Sequence, residues 1–271
     1  MEKIAASWRP ARPHKPNNPM DPRTPFPATK FFDNISFIGN DFVGCFVLET
    51  SAGLVMFDNM EPTDAEYVEQ GLKDLGYDPA DLKAILVTHG HGDHYGNAVY
   101  FRNKYGTKLY MSKIDEAFAQ DPNQPRPKGQ TAMPFSMDGY LEDGGTFKLG
   151  ETEIKTYHTP GHTPGCMSFV FDCYDEGRHH RGSLWGGTGV PRAMADRETL
   201  LKSCDHFAEI GLAEGCDVAI STHPFVDCSL NRLQLIRAIV DGVPNPFVLG
   251  YEGYHRFEQM YHDMYVRSLQ K

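Results

Sequence analysis

The chain has no apolar run approaching the roughly 20 residues of a membrane-spanning helix, so no membrane partner is expected. It has no CxxC pair. Its six cysteines, Cys45, Cys166, Cys173, Cys204, Cys216 and Cys228, are scattered. In a reducing compartment they are most simply free thiols packed as small hydrophobes, although their even number leaves a disulfide open. Basic residues are in the minority, 26 Lys and Arg against 36 Asp and Glu, for a net charge of −10. That balance argues against general binding to a phosphate backbone, and no nucleic-acid partner is expected. The first twenty residues, MEKIAASWRPARPHKPNNPM, lack the apolar core of a secretory signal, which points to a cytoplasmic protein. No internal repeat is visible.

What is present suffices for a large core. The chain has 271 residues, of which 40% are hydrophobic, enough for one large domain or two small ones. Six prolines between Pro10 and Pro25, followed by Pro27, make residues 1–30 an extended arm. No linker-like break follows, so residues 31–271 read as a single domain. Short apolar runs at Ile35–Ile38, Cys45–Leu48 and Leu54–Phe57, separated by turn residues, predict strands. Thr63 or Asp64 caps a helix with Ala65, Val68 and Leu72 on one face, ending near Gly76. Lys83–Thr88 is almost wholly apolar, the pattern of a strand buried on both faces. A helix-like stretch up to Gly106, a strand at Leu109–Met111 and a short helix opened by Ser112 follow.

Residues 121–140 read as a long loop. Its Met133, Phe135, Met137 and Tyr140 either line an apolar substrate wall or, the favoured reading, pack onto the core. In the second half, Thr146–Leu149, Glu153–His158, Met167–Phe171, Leu184-Trp185 and Val218–Ser221 read as strands, with a polar hairpin at 173–182. Residues 197–211 and 229–240 have helical period, and the last twenty form an amphipathic helix with Tyr254, Phe257, Met260, Tyr261, Met264 and Tyr265. Clustered strands with helices between them suggest an α/β (α+β) fold of two mixed sheets with helices outside.

The chemistry concentrates at His89-Gly-His-Gly-Asp-His94, directly after a buried strand. Three imidazoles and one carboxylate within six residues suit zinc or another borderline divalent ion. Gly90 and Gly92 are expected to let the backbone turn tightly. Two further histidines stand where strands end: His162 in Thr159-Pro-Gly-His-Thr-Pro-Gly165, and His223 in Ser221-Thr-His-Pro224. One tetrahedral ion cannot use all these groups and keep an open position, so two ions is the simpler reading. His14, His179, His180, His206, His255 and His262 fall in the arm, the polar hairpin or helices and read as structural. His158 reads as packing.

THGHGDH with TPGHTPG resembles the metallo-β-lactamase superfamily, over a stretch from about residue 31 to the C-terminus. The resemblance implies an αββα sandwich with a dinuclear metal site at one edge. Where many of its hydrolases carry a bridging Asp, and one β-lactamase subclass a Cys, this chain reads Leu184-Trp-Gly-Gly-Thr-Gly-Val190. That is similar to the subclass using only His and Asp ligands. The Gly39-Asn40 before the Cys45 strand, Phe57-Asp-Asn59, Gly165-Cys-Met-Ser-Phe169 and the Tyr-rich last helix resemble it as well.

The resemblance implies that His89, His91 and His162 hold one zinc and Asp93, His94 and His223 a second, with a bridging water or hydroxide; iron or manganese is the alternative metal. It implies a di-zinc hydrolase opening an amide-like, β-lactam-like bond in a small molecule with a carbonyl and a carboxylate. Asp93 and His223 are its catalytic residues, and Asp93 also orients the nucleophile. The chain departs from that subclass where it often has serines, at Gly187 and Gly189. Thr188 and Arg192 are the candidates to replace them at the substrate. A lactonase or thioesterase of the same superfamily, or a diiron or metal-binding protein without hydrolytic activity, are the competing expectations.

Overall fold

A computed structural model describes residues 23–124, 126, 131–238 and 242–270. Residues 1–22, most of the expected arm, lie outside the described residues, as does the end of the helix expected at 229–240.

The chain opens with an antiparallel run: β1 (Pro25–Phe32), β2 (Ile35–Asn40), β3 (Gly44–Thr50) and β4 (Gly53–Phe57). Pro25–Lys30, expected to belong to the arm, are thus the first part of an edge strand paired with β2. Both prolines fit there, because an edge strand need not donate every ladder hydrogen bond. A 3-10 turn leads into α1 (Ala65–Asp74), then β5 (Leu82–Leu86), α2 (Gly92–Tyr95), α3 (Ala98–Tyr105), β6 (Lys108–Met111), α4 (Lys113–Gln120) and β7 (Gly139–Tyr140). These seven strands form one sheet in sequential order, with parallel pairing from β4 onward. The second sheet holds β8 (Gly145–Leu149), β9 (Thr152–His158), β10 (Met167–Asp175), β11 (Arg178–Leu184) and β12 (Val218–Ile220), ordered β12-β11-β10-β9-β8. Helices α5 (Met194–Ala213), α6 (Ser229–Ala238) and α7 (Gly250–Ser268) complete the chain.

The period-2 side-chain alternation of strands explains the layers. In β3, Phe46 and Leu48 face the core between the sheets, while Cys45 and Val47 join Val68, Leu72 and Phe101 beneath α1 and α3. Strand β4 divides likewise, Val55 and Phe57 inward and Leu54 and Met56 outward. From the other sheet Phe169 and Phe171 meet Phe57, with ring centroids 5.2 and 5.1 Å away. Val170 points outward to Leu200, Phe207, Tyr254 and Tyr261 of α5 and α7. Both sheets are therefore covered on both faces, which is why the central strands β2 to β5 and the start of β10 read as near-continuous apolar runs. The result is the expected αββα sandwich.

Several local expectations are refined. The strand predicted at Lys83–Thr88 ends at Leu86, and Val87 and Thr88 already lead toward the histidines. The polar hairpin at 173–182 is itself strand, with Asp175 paired to Arg178 across a two-residue turn at Glu176-Gly177. Its polarity comes from ion pairs on the outer face, Arg181 with Asp172 and Glu214, and from a hydrogen bond between His180 and Asp217 on the other side of the strand. Met133 is buried beneath the first sheet with Phe135 and Met137 packed beside it, so the core reading of this loop holds for those three. Tyr140 instead lies exposed and bonds Glu116. All six cysteines are free thiols, five of them buried. Among the described residues no helix is long and apolar enough to cross a membrane.

Candidate metal centre

All the site histidines stand where strands run out at one edge of the sandwich. His89 and His91 follow β5, Asp93 and His94 lie on the single turn of α2, His162 lies between β9 and β10, and His223 follows β12. The fold brings them into two groups of three, His89/His91/His162 and Asp93/His94/His223. Each group offers three ligand atoms within 4.8 Å of one another. The groups abut, with the His89 and His94 rings 3.9 Å apart.

Four of the five imidazoles have their tautomer fixed by what their Nδ1 touches. His162 Nδ1 lies 2.7 Å from the Gly189 carbonyl, and His223 Nδ1 lies 2.8 Å from that of Phe42. Carbonyls only accept, so both nitrogens carry the hydrogen. His94 Nδ1 donates to the Asp58 carboxylate at 2.6 Å. The Thr88 hydroxyl donates its one hydrogen to Asp58, so it must accept from His89 Nδ1 at 2.9 Å. In the neutral rings every Nε2 is then a bare lone pair, and these lone pairs face one another. His89 and His162 Nε2 are 3.1 Å apart, and His94 and His223 Nε2 are 3.2 Å apart. His91 Nδ1 joins the first pair, 3.0 Å from His162 Nε2. Lone pairs at such distances repel unless a cation or a proton lies between them. The donor set, five imidazoles and one carboxylate, fits zinc-like ions.

Charge separates the two groups. Burial, reinforced by the neighbouring imidazoles, lowers the pKa of His89 well below its ordinary value and brings His162 to about 3. Burial also lowers His91, to about 4, against the pull of Asp93. These rings are neutral at neutral pH. His94 behaves oppositely: burial lowers its pKa, but Asp93 and Asp58 outweigh burial and raise it. Asp93 is pushed down to about 2, because His94, His223 and His91 overcome its burial, so it stays ionised. Its Oδ2 lies 3.5 Å from His94 Nε2 and 3.9 Å from His223 Nε2.

Three supports escaped the sequence reading. Asp58, just after β4, accepts from the Thr88 backbone N–H at 2.7 Å as well as from the Thr88 hydroxyl and His94, and so orients an imidazole in each group. Asp115 on α4 accepts from the backbone N–H groups of Gly90 and Gly165 and from the Thr163 hydroxyl, tying the two histidine loops together. The Tyr265 hydroxyl of α7 accepts from Trp185 Nε1 and donates to the Thr188 carbonyl, steadying the loop whose Gly189 carbonyl holds His162. Phe57-Asp-Asn59 and the Tyr-rich last helix were the sequence signals near Asp58 and Tyr265, and neither carried a role.

The expected reason for Gly90 and Gly92 does not hold, since neither has a positive φ. Space decides at Gly90, where a Cβ would come within 2.8 Å of the Asp115 carbonyl. The departure at Gly187 and Gly189 has the same origin. A Cβ on either would lie 2.6 or 2.5 Å from a His162 atom, so this loop cannot carry serines without moving His162. Thr188 is buried between them and Arg192 is exposed. His158 donates from its ring Nε2 to the Pro164 carbonyl rather than joining either group.

Residues 38–175 match the family model of the metallo-beta-lactamase superfamily, a span holding five of the six grouped side chains. The chain belongs to the metallo-beta-lactamase superfamily. Among solved members, the subclass B3 metallo-beta-lactamase BJP-1 of Bradyrhizobium japonicum superposes with a TM-score of 0.78 at 25% identity, over 92% of this chain and 95% of that one. FEZ-1 of Legionella gormanii superposes at 0.80 and 21% identity, over 93% and 98%. BJP-1 is thus a solved neighbour of the subclass that the His/Asp pattern resembled.

By sequence, the chain is 27% identical over 187 residues to the hydroxyacylglutathione hydrolase GloC of Haemophilus influenzae, covering 65% of this chain and 79% of that protein. It is 33% identical over 95 residues to a probable metallo-hydrolase of Burkholderia pseudomallei. That match covers 34% of this chain and about a third of the relative's length.

Proposed function

We propose that this protein, a metal-dependent hydrolase of the superfamily, holds one zinc ion with His89, His91 and His162 and a second with Asp93, His94 and His223. With them it opens an amide-like, β-lactam-like bond in a small molecule. The observation that carries this reading is the facing of Nε2 atoms, with each of their Nδ1 atoms engaged elsewhere, within two adjoining three-residue groups. When bound, such ions polarise a carbonyl and lower the pKa of water toward neutrality.

The chain's own residues supply the rest. The first group contributes neutral imidazoles only, three donors that would leave a tetrahedral ion one position for water or substrate. Ionised Asp93, beside His94 and His223, orients the attacking nucleophile and can take its proton on Oδ1, since Oδ2 is the oxygen nearest the two rings. Asp58 and Asp115 fix the ligand geometry before substrate arrives. Thr188, and Arg192 exposed beyond it, are assigned to the substrate's polar end, with Arg192 meeting a carboxylate.

The test is zinc titration of the metal-free protein followed by a chromogenic cephalosporin assay. Two equivalents bound and ring opening well above the metal-free rate are expected. One equivalent, or no gain over the metal-free protein, overturns the reading. Thioester or lactone hydrolysis by the same groups is the second reading. It is favoured by Gly187 and Gly189, which cannot present the hydroxyls often found in the β-lactamase subclass, and by the likeness to a hydroxyacylglutathione hydrolase.

A further inference from the structure

Of the described phenylalanines, only Phe225 is exposed, with 52% of its surface open. It lies two residues after His223, and its ring centroid is 5.4 Å from the His223 imidazole. It is also held. Its ring stacks on Phe42 at 5.8 Å with the planes 20° apart, and Phe42 in turn meets the His223 ring edge-on at 5.0 Å. The turn that carries Phe42 is fixed by Asn40, whose side-chain oxygen accepts from the backbone N–H groups of Phe42 and Val43. The Phe42 carbonyl receives His223 Nδ1, and the Arg23 guanidinium lies 3.8 Å from the Phe42 ring centroid. The fold thus keeps an aromatic pair in a set position against one metal-ligand candidate while leaving half of Phe225 in solvent. An exposed, pre-set aromatic surface continuous with a reactive centre suits an apolar ligand group, because stacking there costs little further ordering.

We propose that Phe42 and Phe225 form an aromatic wall beside His223 that receives the apolar, aromatic part of the substrate's acyl group. The inference rests on the metal-centred reading above and adds the class of substrate: a carbonyl compound bearing an aryl or arylalkyl substituent. Its carbonyl would lie at the two groups and its aryl ring on Phe225. In this arrangement the polar end of the substrate points away from Phe225, toward Thr188 and Arg192.

Hydroxamates test both readings separately, since they bind through zinc without needing turnover. Zinc-loaded full-length protein would be titrated calorimetrically with acetohydroxamate and phenylacetohydroxamate. The phenyl compound should bind about tenfold more tightly, a ratio of the size one aromatic contact supplies. Phe225→Ala should bring the ratio within about twofold, and Phe225→Tyr should restore it, with melting temperatures checked for both variants. A wild-type ratio near one, as when the ring is covered by another part of the chain or by a second copy, overturns the aromatic wall. So does a tenfold ratio that survives Phe225→Ala. Failure of both compounds to bind overturns the metal-centred reading, and this inference with it.

Discussion

The two adjoining ligand groups are built on different principles. His89, His91 and His162 bring no charge of their own, and their neutral rings are placed by a hydroxyl, a carbonyl and close glycine packing. Asp93, His94 and His223 include a carboxylate and have a second, Asp58, directly behind His94. The first group would select its ion by geometry and the second by charge. An all-imidazole set suits an ion that keeps an open position, whereas a carboxylate beside it keeps an acceptor for the proton that chemistry releases.

The comparison can be broken most severely by removing one ligand from each side. His89→Ala and Asp93→Ala are each expected to cut turnover to below about 1% while leaving the far-ultraviolet circular dichroism unchanged. Each should also reduce bound zinc by one equivalent on equilibrium dialysis. Loss of both ions from either variant would mean that the groups are one unit rather than two.

Removing supports should separate the groups more finely. Asp58→Asn is expected to weaken the second ion by about 10–100-fold in a chelator competition and the first ion by less, because Asp58 reaches His89 only through Thr88. Equal losses at both ions would contradict the assignment of charge to one group.

Acid should sharpen the same contrast, because a ligand nitrogen must lose its proton to bind an ion. A raised pKa means that protons compete at higher pH, and a lowered pKa means that they compete only at lower pH. His94 is raised, whereas His91 and His162 are lowered to about 4 and 3. As pH falls from 7, the second ion's affinity should therefore begin to drop first, by about tenfold per unit for each proton bound. Zinc content measured after dialysis at stepped pH checks the order; release of the first ion before the second would reverse the argument.

The smallest effect is expected from Tyr265→Phe. It removes a 3.3 Å hydrogen bond to the Thr188 carbonyl and the acceptor of Trp185 Nε1, two steps from His162. A few-fold loss of affinity confined to the first ion is expected, read by the same chelator competition.

The six grouped side chains were legible because four of them sit within six residues, where metal-ligand chemistry leaves a spacing pattern. His162 and His223 were legible from their place in loops after strands. The supports were not. Asp58 contacts His94 across 36 residues and Asp115 contacts Gly165 across 50, and neither an aspartate just after a strand nor one in the first turn of a helix has a local pattern that separates an anchor from a solvated side chain. The polar hairpin at 173–182 misled for a related reason. A strand whose outer face is covered by ion pairs loses the apolar run that marks its neighbours, although its register with β9 and β12 is regular.

Periodicity and residue type, both local properties, determined the layered sandwich and the metal-ligating character of the His/Asp cluster. Only the packed chain decided which nitrogen of each ring points inward, why Gly187 and Gly189 carry no side chain, and that Phe225 stands open beside His223. Those outcomes depend on atoms far apart in sequence, such as the two imidazoles that face each other across 129 residues. Their positions are set by how two sheets stack, which no short stretch of sequence encodes.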